Sequence, residues 1–299
     1  MRILTRGDMD GMTASLLLTL VEQIREIHFA HPKDVQDGLV EADAQDIVVN
    51  LPYIKGCGMW FDHHVSESVK LEAIGEFKGA FQVAPSAARV VYNHFKSPKF
   101  DAYMELLEAT DRLDAAQLTA DEVANPKGWI LLGLTLDPRT GLGPEFRKYF
   151  RWLVEYAKEV SIDKVLAHPE VAKRCQKVID EQKQFKLFLA QHARLEDTVI
   201  VTDLRGHEGE APVGNRFLVY SLFPEANVEA RIFAGKSGST VVALGHSIFN
   251  RTCNVNIGKL CASYGGGGHR GAGTCQLETG RADEQITEIL EILKTNLAS

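Results

Sequence analysis

The sequence predicts an α/β protein with a mainly parallel, doubly wound N-terminal sheet, a helical connector and a smaller C-terminal α/β domain. Three observations predict it. Over the first 111 residues, short apolar runs of strand character alternate with segments of helical period, the pattern that builds a parallel sheet with helices on both faces. Residues 145–193 then read as mostly helical and rich in Lys, Glu and Gln. Strand-like runs return after residue 195 and lead to a last helix. At 299 residues the chain is long enough for two domains with separate cores. The pattern divides it at 1–144, 145–194 and 195–299.

The first strand is the apolar run at 2–4. Leu16, Leu20 and Ile24 recur at period four and predict a helix over 12–26. Strands follow at 26–30, 46–51 (DIVVNL) and 59–61, and helices at 85–95 and 102–111. In the C-terminal domain strands are predicted at 198–203 and 239–245, then a helix over 258–264. A glycine-rich run at 265–273, a strand at 274–277 and a closing helix at 283–297 complete it. Ligands of parallel folds bind beyond the carboxyl ends of the strands. Asp8, Asp10, Asp62, His63 and His64 fall there.

The chain is 45% hydrophobic and 24% charged, the balance of a soluble globular protein. A net charge of −7 argues against a duplex-DNA binder, which presents a broad basic face. A small anionic substrate stays open, because a metal and a few arginines can hold one. The five cysteines, at 57, 175, 253, 261 and 275, form no CxxC pair. That disfavours a structural zinc site, and the odd count points to free thiols in a reducing compartment. Asp8 and Asp10 interrupt the N-terminal apolar run, which argues against a signal peptide. No apolar run is long enough to span a bilayer. A cytoplasmic protein with no membrane partner is the expectation.

Three motifs carry chemistry. Asp62-His63-His64 ends the apolar stretch 57–61. A carboxylate and two imidazoles are expensive to bury unpaired and are good ligands for a divalent cation. One histidine of such a pair is often a core histidine bonded to a carboxylate; two beside an aspartate at a strand end favour function. Asp8-Met9-Asp10 follows a strand and precedes a helix, so both carboxylates can reach one site, although Asp8 reads equally well as a helix cap. A mixed Asp/His set favours Mn²⁺, with Mg²⁺ as the alternative. The glycine run 265–268, followed by His269 and Arg270, permits a backbone nest for an anion. A flexible hinge is the alternative.

Together GDMDG at 7–11, FDHH at 61–64 and GGGGHRGAG at 265–273 resemble the DHH superfamily of phosphoesterases over nearly the whole chain. The N-terminal domain resembles the DHH catalytic domain and the C-terminal one the DHHA1 substrate-binding domain. Within the superfamily the chain is most similar to the exopolyphosphatase-related, small-nucleotide phosphodiesterase branch. The resemblance implies metal-centred hydrolysis by an activated water in the cleft between the domains. It implies Asp8, Asp10 and His63 as metal ligands, Asp62 orienting a neighbouring ligand, and His64 on the scissile phosphate. A further aspartate after a helix is implied, for which Asp111 fits best and Asp114 is the competitor.

Two positions depart from the family pattern. Asn50 stands where an aspartate bridges two metals, and Leu4 where many members have a histidine. One ion or two is therefore left open, with His28 or His31 as substitutes for the missing ligand. Asn50 also reads as a turn former before Leu51-Pro52. In the C-terminal domain Arg231, Arg251, Asn254, Gly266, Gly267, Gly268, His269 and Arg270 are candidate substrate contacts, arginine forks suiting phosphate. The resulting expectation is a metal-dependent phosphohydrolase acting on small nucleotides or short oligonucleotides, and compatible with a homodimer. An exopolyphosphatase or pyrophosphatase, and a degenerate nucleotide binder that does not cut, are the alternatives.

Overall fold

A computed structural model describes residues 1–137, 142–209, 211–235 and 238–298. The chain forms two compact units. The first comprises Met1–Leu118 with Pro126–Gln176, the second Thr119–Asn125 with Lys177–Ser299.

In the first unit, β1 (Arg2–Thr5), β2 (Glu26–Phe29), β3 (Asp46–Val49), β4 (Met59–Asp62) and β5 (Gly79–Phe81) form one sheet in the order β2-β1-β3-β4-β5. Every pairing is parallel. The strands are continuous apolar runs because both faces are covered. Leu4, Val48 and Trp60 pack on one face with Ala30, Val35, Leu51 and Ile54. Ile3, Ile47, Val49 and Phe61, alternating with them, are buried on the other. Strand β5, a three-residue GAF segment, carries too little pattern to be predicted.

The helix predicted over 12–26 runs instead over Met9–Val21. Asp8 caps it, its Oδ1 accepting from the Gly11 N–H at 2.9 Å, and Gly11 lets the turn close, since a Cβ there would lie 2.2 Å from the Arg6 carbonyl oxygen. The helix is buried from Met9 to Leu18, where it packs against the helices Ala87–Phe95 and Met104–Asp114. The Thr13 and Thr110 hydroxyls join it to the latter at 2.7 Å. The 145–193 stretch forms three helices, Pro144–Glu159, Ile162–Ala167 and Pro169–His192, and the division between the units falls within the last.

The second unit contains β6 (Ala193–Glu196), β7 (Val199–Asp203), β8 (Val228–Ala234), β9 (Thr240–His246), β10 (Gly267–His269) and β11 (Ala272–Leu277). Their order is β10-β11-β9-β8-β7-β6. Only β7 and β8 run parallel. One face, including Val201, Ala230, Ile232, Val242 and Leu244, packs with Ile257, Leu260, Ile289 and Leu293 of the helices Ile257–Ser263 and Ala282–Thr295.

Candidate metal centre and the glycine hairpin

Strands β1, β3 and β4 are neighbours, so the residues that follow them leave the sheet at one edge. Asp8 follows β1, Asn50 follows β3, and Asp62 ends β4 before His63 and His64. Asn50 turns with φ 57°, a left-handed conformation that asparagine tolerates better than most residues. Its side-chain N–H donates to Asp8 Oδ1 at 2.9 Å. Arg6 Nε lies 3.2 Å from the other oxygen of Asp8.

Asp10 lies in the first turn of its helix and is buried. Its two oxygens accept the Ala87 and Ala88 N–H groups at 2.9 and 2.8 Å. These are first-turn amides of the Ala87–Phe95 helix, where a negative charge is favoured. Burial, then the charges of Asp114 and Asp8, nevertheless push the Asp10 carboxyl well above the usual carboxylate range.

His63 Nδ1–H donates to the Ala84 carbonyl at 3.0 Å. The lone pair is thereby placed on Nε2, which lies 3.2 Å from Asp114 Oδ2 and 3.7 Å from Asp10 Oδ2. Nε2 is buried and has no hydrogen-bond partner. A lone pair facing two carboxylates is repulsive unless a proton or a cation lies between them, and these spacings are also those that a cation bound at about 2.0–2.2 Å by each donor spans. Asp10, His63 and Asp114 each offer a ligand atom within 4.8 Å of the others, as do Asp62, His63 and His64. The Asp114 carboxyl, 27% exposed, is pushed up, first of all by desolvation. The donor set thus fits a divalent ion.

His64 Nδ1–H donates to Asp62 Oδ1 at 2.7 Å, which leaves Nε2 for a ligand. Burial alone would lower the His64 pKa, but the bond to Asp62 and its charge outweigh that and raise it.

Asp111 does not join these clusters. It accepts from Ser86 Oγ at 2.6 Å and from Arg89 Nε and Nη2 at 2.8 and 2.5 Å. Ser86 in turn caps the Ala87–Phe95 helix by accepting from Arg89 N. The structure therefore brings Asp114, and not Asp111, to His63. The other proposed substitutes are occupied elsewhere, His28 with Glu26 at 2.7 Å and His31 as the cap of the Pro32–Gln36 helix. Leu4 is packed in the core. Ser86, Arg89 and the Ala84 carbonyl were missed from sequence, although a serine ahead of Ala-Ala-Arg is a helix-start signal that could have placed an anion site there.

In the second unit the glycines do not form a nest. The N–H groups of Gly265 and Gly266 donate to the Ala262 and Cys261 carbonyls at 3.1 and 2.9 Å and close the preceding helix. Strand β10 is the exposed sheet edge, hairpinned to β11. Gly266 and Gly268 are required by space, since a Cβ at either would lie within 2.3 Å of a β11 carbonyl oxygen, whereas at Gly267 it would meet nothing within 4 Å. His269 is exposed, and its Nδ1 accepts from Gly271 N at 3.2 Å. His246, at the end of β9, was missed. Its N–H bonds the Gly271 carbonyl and its Nε2–H donates to Val255 O at 2.9 Å. Burial lowers its pKa, and the nearby Arg270 and His269 add to this. Only the β9–β11 register brings it to the turn. Arg231 is held by the buried Glu229 at 3.0–3.1 Å. Arg251 Nε donates to Ile248 O, and the Asn254 N–H bonds Asn296.

The carboxyl edge of a parallel α/β sheet thus carries two clusters of carboxylates and imidazoles that could hold a divalent cation. A pGpG-specific phosphodiesterase from Vibrio cholerae, PggH, is 35% identical over 99% of both chains, with a TM-score of 0.87. The chain belongs to the DHH superfamily of phosphoesterases. Two further solved structures share the fold. An exopolyphosphatase-related protein from Bacteroides fragilis has a TM-score of 0.52 at 11% identity, covering 98% of this chain and 92% of that one. RecJ from Thermus thermophilus with Mg²⁺ has 0.53 at 13% identity, covering 98% of this chain and 50% of that one. No family model and no curated protein matches the sequence.

Proposed function

We propose that the protein hydrolyses phosphoester bonds of small nucleotides, with a linear dinucleotide of the pGpG type as its leading substrate. A divalent cation, Mn²⁺ before Mg²⁺, is held by Asp10, His63 and Asp114, with Asp8 and Asp62 adjoining. The observation that carries this reading is the buried lone pair of His63 Nε2 between two carboxylates. The dinucleotide rests on the 35% identity to PggH across the full length of both chains. The net charge of −7 favours something short over duplex DNA, and the five free thiols favour the cytoplasm.

The bound ion supplies Lewis-acid polarisation of a phosphoryl oxygen and lowers the pKa of water. Asp62 holds the His64 ring through Nδ1 and favours its protonated form. His64 Nε2–H then donates to the phosphate and offsets the charge that builds there. Ala84 fixes the His63 tautomer, and the Ala87 and Ala88 amides fix Asp10.

The test is a Mn²⁺-supplemented screen of pGpG, other dinucleotides, pAp, cyclic dinucleotides and polyphosphate, with products separated by chromatography. Mononucleotide release from the linear dinucleotides, abolished by EDTA, is expected. Absence of turnover on every phosphoester tested would leave only a nucleotide binder. Turnover confined to polyphosphate would reassign the substrate.

A further inference from the structure

Among the buried polar atoms at this sheet edge that lack a hydrogen-bond partner are His63 Nε2, Asp62 Oδ2 and Asn50 Oδ1. A cation among Asp10, His63 and Asp114 accounts for the first. The other two belong to residues at the ends of the paired strands β3 and β4. Val49 pairs with Phe61, the Asn50 N–H donates to the Phe61 carbonyl at 3.1 Å, and the same register sets Asn50 next to Asp62. A carboxylate can only accept, so the bond to Asp8 fixes the Asn50 amide with its nitrogen toward Asp8 and its oxygen away. An unsatisfied buried polar group is unfavourable. Asn50 and Asp62 are fully buried, and a cation bound by both oxygens removes the cost.

The charge on this side is low. Asn50 is neutral. Asp8 faces Arg6 through Oδ2 and is engaged through Oδ1 by Gly11 and Asn50. Asp62 shares its charge with His64. His28, His31 and Leu4 add nothing here. We infer that Asn50 gives this side of the centre only a neutral oxygen, so that the free enzyme holds one ion, at Asp10, His63 and Asp114. A second, beside Asp8, Asn50 and Asp62, is held only when a phosphate supplies the missing negative charge. The inference rests on the reading of the chain as a cation-dependent phosphoesterase.

The test counts Mn²⁺ bound to the full chain, by paramagnetic resonance of free Mn²⁺ and by calorimetry, with and without inorganic phosphate. One ion is expected without phosphate and two with it. Asn50→Asp should bind two without phosphate, its second Kd falling at least ~10-fold, the lower end of what one group near a metal does to affinity. Asn50→Ala should keep the first ion and gain no second, and circular dichroism in EDTA checks that both variants fold. Two equally tight ions in the parent without phosphate, or no second ion with it, would overturn the inference and leave the phosphoesterase reading standing. Absence of Mn²⁺ binding altogether would sink both.

Discussion

Asp111 and Asp114 lie three residues apart on one helix and face different partners. Asp111 joins its helix to the start of the Ala87–Phe95 helix through Arg89 and Ser86, the same helix start that holds Asp10. Asp114 faces His63 Nε2. Asp114→Asn should therefore weaken Mn²⁺ binding by about 10-fold or more, measured by calorimetry. Asp111→Asn should leave Mn²⁺ affinity within a few-fold of the parent. It should instead lower stability by roughly 2 kcal/mol, because the Arg89 guanidinium loses a charged partner, as read by urea unfolding. Equal losses of metal affinity in the two variants would remove the distinction. This choice was not legible in the sequence: both aspartates suit one helix face, and what separates them is an arginine from another helix. The placement of Asp8, Asp10, His63 and His64 at one edge of the sheet was legible, because each follows a predicted strand of a parallel fold.

Among elements, the β1–β3 pairing is fixed by charge as well as by apolar packing. Arg2 Nε and Nη2 each donate to Asp46 at 2.6 Å, across the register that pairs these two residues. Burial alone would raise the Asp46 pKa, but the Arg2 bonds, the Asp43 N–H and the Arg2 charge outweigh it, and the net shift is downward. A carboxyl lowered in the folded state stabilises above its unfolded pKa of about 3.9 and loses that contribution as pH falls through the folded value. Asp46→Asn should thus be destabilised most at neutral pH. The gap to the parent should close below about pH 4, followed by urea unfolding at stepped pH; an unchanged gap there would assign the effect to packing. The β10–β11 hairpin offers a different test. Gly268, at φ 154° and with a Cβ position 2.3 Å from the Ala272 oxygen, should not tolerate alanine. Gly267 opens onto space and should, with Tm measured for both. The glycine run could not announce a strand, because it has no side chains to show a period of two and its pairing is set by β11. Strand β8 went unread because Glu229 and Arg231 occupy its second face as a buried pair. Strands β1, β3, β4 and β9 were legible because their apolar runs are unbroken.

At the scale of the whole molecule, the clusters among the described residues that can hold a cation lie in one unit, and the sequence carries a probe of that unit. The three tryptophans are Trp60, Trp129 and Trp152, all within Met1–Leu118 or Pro126–Gln176. Tryptophan fluorescence therefore follows the first unit alone. A ligand that binds only the folded state at 100 times its Kd stabilises by about 2.7 kcal/mol. For a unit of this size that is a rise of about 5–11 °C in the midpoint, at roughly 2–4 °C per kcal/mol. Saturating Mn²⁺ should raise the fluorescence-detected midpoint by that much, and EDTA should reverse it. The same shift should appear in His269→Ala, since no residue of the second unit belongs to either cluster of candidate ligands. A Mn²⁺ shift that vanished in His269→Ala would show that the second unit takes part in holding the ion. A midpoint that Mn²⁺ left unmoved in the parent would leave the three carboxylates and the buried imidazole lone pair without a physical account.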